Sequence, residues 1–184
     1  STREGVSVEV TREPVGVCGI ISPWNFPIAI AAWKAAPAMA FGNAIVLKPA
    51  SQTPASAIAL AKIISDQADI PEGLFNLVLG GGGTIGHQIS GHPDIDAISF
   101  TGSVSVGQTI YMEAAKTMKK MQLEMGSKNP LLVMDDADLD IAVACATNGA
   151  YGGTGQKCTA SSRLIVHEKV YKDFIQRLIK SISA

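Results

Sequence analysis

Charge is sparse in this chain and is concentrated nowhere. Lys and Arg number 15 against 16 Asp and Glu, a formal net charge of −1 over 184 residues, and the basic residues are scattered. A nucleic-acid or anionic-membrane partner needs a clustered basic face, so this distribution argues against both. Long apolar runs are missing as well. None reaches the ~18 uncharged residues of a spanning helix. The nearest candidate, 20–33, is interrupted by Ser22, Pro23, Asn25 and Pro27. No signal-peptide pattern opens the chain. Cysteine is scarce, and Cys18, Cys145 and Cys158 form an odd set. That points to free thiols in a reducing, cytoplasmic compartment rather than a disulfide framework. His87, His92 and His167 share no ligand spacing with them, so no metal site is expected. The chain opens at Ser1 without Met and stops inside a helical pattern, which reads as a piece of a longer protein.

What is present is a sizeable apolar fraction, 47%, arranged as short β-rich runs alternating with longer helical ones. Strands are expected at 15–21, 44–47, 74–79, 97–100 and 121–124. Helices are expected at 28–41, from Thr53-Pro54 onward, up to about Gly91, and at 104–116. Gly42-Asn43 closes the first helix as a C-cap would. Thr53 before Pro54 reads as an N-cap followed by the first helical position. Such alternation predicts an α/β fold, a Rossmann-like parallel sheet flanked by helices. Ligands of these sheets bind at the carboxyl ends of the strands. The loops 22–27, 48–53, 80–83 and 101–104 all fall there. After Glu124 a second α/β unit begins, with strands at 130–134 and 163–167 and helices at 139–150 and 169–182. In the last helix Val170, Phe174 and Leu178 recur every four residues as one apolar stripe.

Each candidate functional residue has a bland alternative. Cys158 ends the run Gly152-Gly-Thr-Gly-Gln-Lys-Cys. It is either a buried thiol beside a loop or a reactive thiolate, which glycines and the adjacent Lys157 would suit. Cys145, in a helical apolar stretch, and Cys18, in a strand, read as core. Glu124 leaves a strand either as a salt-bridged structural residue or as a desolvated general base. Asn25 lies in Pro23-Trp-Asn-Phe-Pro. It is a turn residue or a rigidly held amide donor for an oxyanion. Lys48 is either solvated or positioned where a ribose is read. Gly102-Ser-Val-Ser-Val-Gly107 joins a strand to a helix, where backbone amides favour a pyrophosphate; its spacing is not that of the dinucleotide fingerprint.

These segments together resemble the aldehyde dehydrogenase superfamily. The matching stretches are Glu13-Pro-Val-Gly-Val-Cys-Gly, Pro23-Trp-Asn-Phe-Pro, Val46-Leu-Lys-Pro-Ala, Phe100-Thr-Gly-Ser, Leu123-Glu-Met-Gly and Gly155-Gln-Lys-Cys, in the family's order over nearly the whole chain. The resemblance implies that Cys158 is the nucleophile, Glu124 the general base and Asn25 the oxyanion-stabilising amide. It implies NAD or NADP as cofactor, contacted by Ser22, Trp24, Lys48, Ser51, Gly82, Gly102, Ser103 and Gly107. Residues 1–12 resemble the return strand of an oligomerisation hairpin, 13–124 part of the dinucleotide-binding domain and 125–184 the start of the catalytic domain.

The implied protein is a homo-oligomer at full length, acting on a small aldehyde. Ser127 and Met125 depart mildly from the family's usual glycine and leucine. Two other readings follow from the same residues, a catalytically silent nucleotide-binding fragment and a coenzyme A-acylating relative; Glu124 favours the hydrolytic type. The stretch Gly155–Arg163 resembles semialdehyde-oxidising members, notably those acting on 2-oxoglutarate semialdehyde. Ser51 stands where many NAD-preferring relatives carry glutamate. Its lack of negative charge, with Lys48 nearby, predicts acceptance of NADP, since a serine hydroxyl can donate to a phosphate oxygen.

Overall fold

A computed structural model of the chain describes residues 5–67 and 69–183. The chain forms two compact units, residues 1–124 and 125–184, each with its own sheet and core. In the first unit the strands are β1 (Val17–Ile21), β2 (Ala44–Lys48), β3 (Phe75–Leu77), β4 (Ala97–Gly102) and β5 (Lys120–Met125). Their order is β3-β2-β1-β4-β5. β1 runs parallel to both β2 and β4, and β2 parallel to β3. The chain builds outward from β1 through β2 to β3, then returns to place β4 on the other side of β1. That reversal is the switch point at which doubly wound sheets bind ligands.

Helices α1 (Ala29–Ala40), α2 (Pro54–Gln67), α3 (His87–Gly91) and α4 (Val104–Ala115) connect the strands. Ile20, Ile45 and Leu47, all fully buried, meet Ala31 and Ala35 of α1 and Ala57 of α2. Alanines on the helix faces let the helices close on the branched strand residues; each such aliphatic burial stabilises by about 1.5–3 kcal/mol. On the opposite face α3 rests against β1. A Cβ at Gly19 would come within 2.5 Å of Ile89 Cγ2, so only glycine admits this contact.

Gly42 takes φ 80° and ends α1. The adjacent Asn43 is buried, and its Oδ1 accepts the backbone N–H of Val15 at 2.6 Å and of Gly16 at 3.2 Å. Those two N–H groups are therefore withdrawn from the sheet, which is why β1 starts at Val17 rather than Val15. Three other expectations are corrected. The Thr53 hydroxyl is buried without a hydrogen-bond partner among the described residues, so it does not cap α2. The glycine run leads into a single wide turn, Gly82–Gly86, ahead of a five-residue α3. β4 continues through Thr101 and Gly102, leaving Ser103 as the junction with α4.

The second unit pairs β6 (Asn129–Val133) in parallel with β7 (Ser161–Val166), joined through α5 (Leu139–Tyr151), and ends in α6 (Glu168–Ile182). Phe174, fully buried, packs with Val133, Val143 and Ala146, and Val170 and Leu178 flank it on the same stripe of α6. Asp138 caps α5 by accepting the N–H groups of Asp140 and Ile141. His167, expected at the end of the last strand, instead caps α6 by accepting from Lys169 N–H. Among the described residues no helix is long and apolar enough to cross a membrane.

Candidate active site

The parallel register sets where the loops end. Ile21 pairs with both Lys48 and Phe100, so β1 and β2 end together and β4 runs two residues beyond them. Ser22 follows directly: its N–H donates to the Lys48 carbonyl at 3.1 Å, while its buried hydroxyl has no partner among the described residues. Lys48 is only 4% exposed. Its Nζ donates to the Pro49 carbonyl at 2.8 Å, and burial pulls its pKa below the usual lysine range. The reading of Lys48 as a merely solvated lysine is thus excluded. Ser51 donates its hydroxyl proton to the Gly80 carbonyl at 3.2 Å, tying the loop after β2 to the loop after β3.

Gly80 requires its glycine, since its φ is 154° and a Cβ would lie 2.5 Å from Ile85. Across the sheet end, Ser103 caps α4 by accepting from Val106 N–H and receives the Gly107 N–H on its carbonyl. A cleft of about 290 Å³ opens between the wide turn and α4, lined by Ile21, Gly82, Gly83, Gly86, Val106 and Ile110. Ser22, Lys48, Ser51, Gly82, Gly102, Ser103 and Gly107 are therefore gathered at one end of the first unit. Trp24, 43% exposed, and half-buried Asn25 stand on the turn just after β1.

Glu124 lies near the end of β5, with an exposed side chain. Strand alternation puts Gln122 on the same face. From α1, Lys34 donates to Ser99 Oγ of β4 at 2.7 Å and to Gln122 Oε1 at 3.1 Å, and Ser99 in turn donates to Gln122. Burial lowers the Lys34 pKa, and the nearby Glu124 charge pushes it back up. None of these three partners stands out in the sequence. The only signal is one lysine in an otherwise uncharged helix, Ala29–Ala40.

In the second unit Cys158 is an exposed free thiol. The turn before it places Gly153, Thr154 and Gly155 at φ 64°, 58° and 69°. Gly155 is obligatory, since a Cβ would meet the Ala150 carbonyl oxygen at 2.6 Å. Thr154 is β-branched and holds this left-handed conformation at a cost of about 1–3 kcal/mol. Asn129 anchors the far side: its Nδ2 donates to the carbonyls of Cys158 at 2.6 Å and Ala160 at 3.2 Å. Asn129 is inconspicuous in the sequence. Its one local signal is a short polar amide just before Pro130, at the start of a strand.

Of the other cysteines, Cys18 packs against the core of the first unit as expected, and Cys145 needs correction. Cys145 is exposed, because it points away from the Val143–Ala146 side of α5 that meets the core. Cys18 is half-buried, and burial followed by the Asp96 charge raises its pKa. Among the described residues no group of His, Cys, Asp or Glu could hold a metal ion.

Residues 1–184 match the aldehyde dehydrogenase family along their whole length. The α-ketoglutaric semialdehyde dehydrogenase of Bacillus subtilis (strain 168) is 47% identical over 182 residues, 98% of this chain and 37% of that protein. A crystal structure described as an E. coli NADP dependent enzyme aligns with TM-score 0.89 at 44% identity, over 93% of this chain and 35% of that one. The betaine aldehyde dehydrogenase of Staphylococcus aureus, in complex with NAD+, aligns with TM-score 0.91 at 42% identity, over 93% and 34%. The chain thus spans about a third of the length of the relatives it matches. A family match over every residue, with a parallel sheet that superposes on solved members, settles the assignment: the chain belongs to the aldehyde dehydrogenase family.

Proposed function

We propose that a protein carrying this chain oxidises an aldehyde to a carboxylic acid with NAD or NADP, through a covalent adduct on Cys158. The observation that carries the reading is the exposed Cys158 thiol, held by a left-handed glycine turn on one side and by Asn129 on the other. The residues of the first unit fit a dinucleotide. The Ser22 hydroxyl is buried and unpartnered among the described residues. The narrow cleft beside Gly82 is lined mainly by glycines and aliphatic side chains, as a flat purine requires. The N-terminus of α4 at Ser103 favours a pyrophosphate, with Gly102 and Gly107 beside it. Lys48 and Ser51 would meet the adenosine ribose, and Trp24 the cofactor-facing turn. When bound, the nicotinamide supplies the hydride acceptor.

The chain's own residues supply the rest. The Cys158 thiolate adds to the aldehyde carbon, forming a C–S bond and an oxyanion. The Asn25 amide donates to that oxyanion. Loss of hydride leaves a thioester on Cys158. Glu124 takes a proton from water; the resulting hydroxide attacks the thioester, the C–S bond breaks, and the acid departs from a restored thiolate.

The substrate is read as a semialdehyde, supported by Gly155–Arg163 and by the Bacillus relative's name. NADP acceptance is supported by the uncharged Ser51 near the cationic Lys48. Because the Ser51 proton is given to Gly80, the absence of a carboxylate carries this argument more than donation by the hydroxyl does. Residues 13–124 are read as part of the dinucleotide-binding domain and 125–184 as the start of the catalytic domain. Residues 1–12 are read as the end of an oligomerisation hairpin; residues 1–4 lie outside the described residues. Residues 6–12 form no strand here, and the exposed apolar side chains of Val6, Val8 and Val10, at every second position, support that reading and a homo-oligomer. Free cysteines support a cytoplasmic setting.

The test is NAD(P)H formation across an aldehyde panel by a protein of the relatives' length carrying this sequence. Semialdehydes should turn over fastest, with release of free acid. Release of an acyl thioester to added coenzyme A instead would move the protein to the acylating type.

A further inference from the structure

A side chain on a turn is aimed only if the backbone on both sides of it is held, because each residue has two soft dihedrals. Around Cys158 both sides are held. The residue stands in a tight turn closed by the Ala160 N–H, which donates to the Lys157 carbonyl at 3.0 Å. That bond restrains the peptide plane preceding Cys158. The plane following it is restrained by Asn129, whose Nδ2 donates to the Cys158 carbonyl at 2.6 Å. The same nitrogen gives its second proton to the Ala160 carbonyl at 3.2 Å. Among the described residues no carbonyl accepts the Cys158 N–H.

The amide is itself braced. Arg163 on β7 donates Nε at 2.9 Å and Nη2 at 2.5 Å to the Lys128 carbonyl, the peptide group immediately before Asn129. Arg163 takes part in no ion pair among the described residues, so its guanidinium is spent on that one carbonyl. The ladder is irregular at the same point: Asn129 pairs with Ser161, but Pro130 pairs with Arg163. An extra residue in one strand re-aims the side chains beside it, and Pro130 has no N–H to give to the sheet. A half-buried asparagine that only began a strand would leave its protons to water. Here both go to carbonyls 29 and 31 residues away, on the turn that bears the thiol.

We propose that Asn129, braced by Arg163, is a positioning residue that fixes the backbone of Cys158, so that the thiol and the N–H of Cys158 are presented together to one carbonyl group. This rests on the reading of Cys158 as the nucleophile. Addition of the thiolate forms a C–S bond and moves the carbonyl electron pair onto oxygen. The Cys158 N–H can donate to that oxygen while the sulfur reaches the carbon, but only over a narrow range of the residue's two dihedrals. A misplacement of about 1 Å costs on the order of 10²-fold in rate. Losing one oxyanion donor costs about 10²–10³-fold. The bond from Asn129 therefore acts on the addition step, and the accessibility of the sulfur does not depend on it.

The test is the rate of the pre-steady-state NAD(P)H burst in a protein of the relatives' length carrying this sequence. Melting temperature and iodoacetamide alkylation at Cys158, read by peptide mass, are measured alongside. Asn129→Asp keeps the shape of the side chain, removes both donors and turns a carboxylate toward two carbonyls. It should slow the burst by about 10²-fold and leave the half-saturating aldehyde concentration unchanged. Alkylation needs an accessible sulfur and no oxyanion donor, so its rate should stay near wild type. Arg163→Leu, at an exposed position, releases the Lys128 carbonyl and should slow the burst by roughly tenfold. Arg163→Lys retains one donor and should recover most of that loss. The Arg163 variants serve if those of Asn129 do not fold.

A burst of native rate in both Asn129→Asp and Arg163→Leu, with native melting behaviour, overturns the proposal. A parallel fall of burst rate, alkylation rate and melting temperature, with no recovery in Arg163→Lys, also overturns it by making Asn129 a residue of the fold alone. Cys158→Ala run in the same series separates the two readings. If that variant oxidises aldehyde normally, the nucleophile reading fails. If it is inactive, and the Asn129 and Arg163 variants burst normally, only the positioning role fails.

Discussion

The two units of the chain hold their functional groups in opposite ways. In the first, polar groups at one end of a five-stranded sheet are fixed by burial and by bonds between loops. Lys48 is 4% exposed, and Ser51 ties one loop to the next through Gly80. In the second, a two-stranded sheet offers little cover, and β7 is exposed along most of its length. Cys158 is instead held by backbone geometry, a run of left-handed residues and one amide side chain. A cofactor is bound by many weak contacts, which a rigid sheet edge supplies. A nucleophile needs one accessible atom on a turn stiff enough to aim it.

The comparison breaks most visibly at the two groups proposed to react, Cys158 and Glu124. Cys158→Ala should lower aldehyde oxidation at least ~10³-fold, as removal of a covalent nucleophile does. NAD(P)H formation measures it, and turnover near wild type would remove the second unit from the chemistry. Thiol labelling sharpens the point: Cys158 and the exposed Cys145 should react with iodoacetamide before Cys18, whose thiol burial keeps protonated. Glu124→Gln should slow the steady state by about 10²–10⁴-fold while NAD(P)H still appears in a burst. Loss of the burst as well would place Glu124 in the acylation step.

Packing provides the next contrast. Phe174→Ala removes the centre of the second core and should cost about 3–5 kcal/mol. Hydrogen exchange should then rise through β6, β7, α5 and α6 and leave the five-stranded sheet protected. Equal loss in both units would mean that they unfold as one.

Smaller effects probe the loops. Ser51→Glu places a carboxylate beside the ribose position and should shift the kcat/KM ratio of NADP to NAD toward NAD by roughly 10–100-fold, as an added repulsive charge would. An unchanged ratio would take Ser51 out of cofactor choice. Smallest of all, Thr154→Asn relieves a β-branched residue in the left-handed region and should stabilise the second unit by roughly 0.5–1 kcal/mol. A melting temperature that falls instead would show that the threonine's own contacts outweigh the strain.

Much of this molecule is local in origin and so can be read along the chain. The alternation of β-rich and helical runs marks a parallel α/β sheet, the glycine at 42 marks the end of a helix, and the four-residue apolar spacing of α6 puts Phe174 in a core. The motifs around Asn25, Lys48, Glu124 and Cys158 carried the family resemblance in the same way. Other features belong to no segment. Whether Lys48 is solvated or buried depends on how β1, β2 and the wide turn enclose it. Cys145 lies outside the core because the angular position of a single residue on α5 is settled only when the sheet and α6 meet that helix. The N-terminal boundary of β1 was set by Asn43, 28 residues from Val15. The Lys34 cluster joins residues 65 and 88 positions apart. Periodicity and capping act over one or two turns of chain, whereas Ser99, Gln122 and Lys34 come into hydrogen-bonding reach only when β4, β5 and α1 pack together in the folded unit.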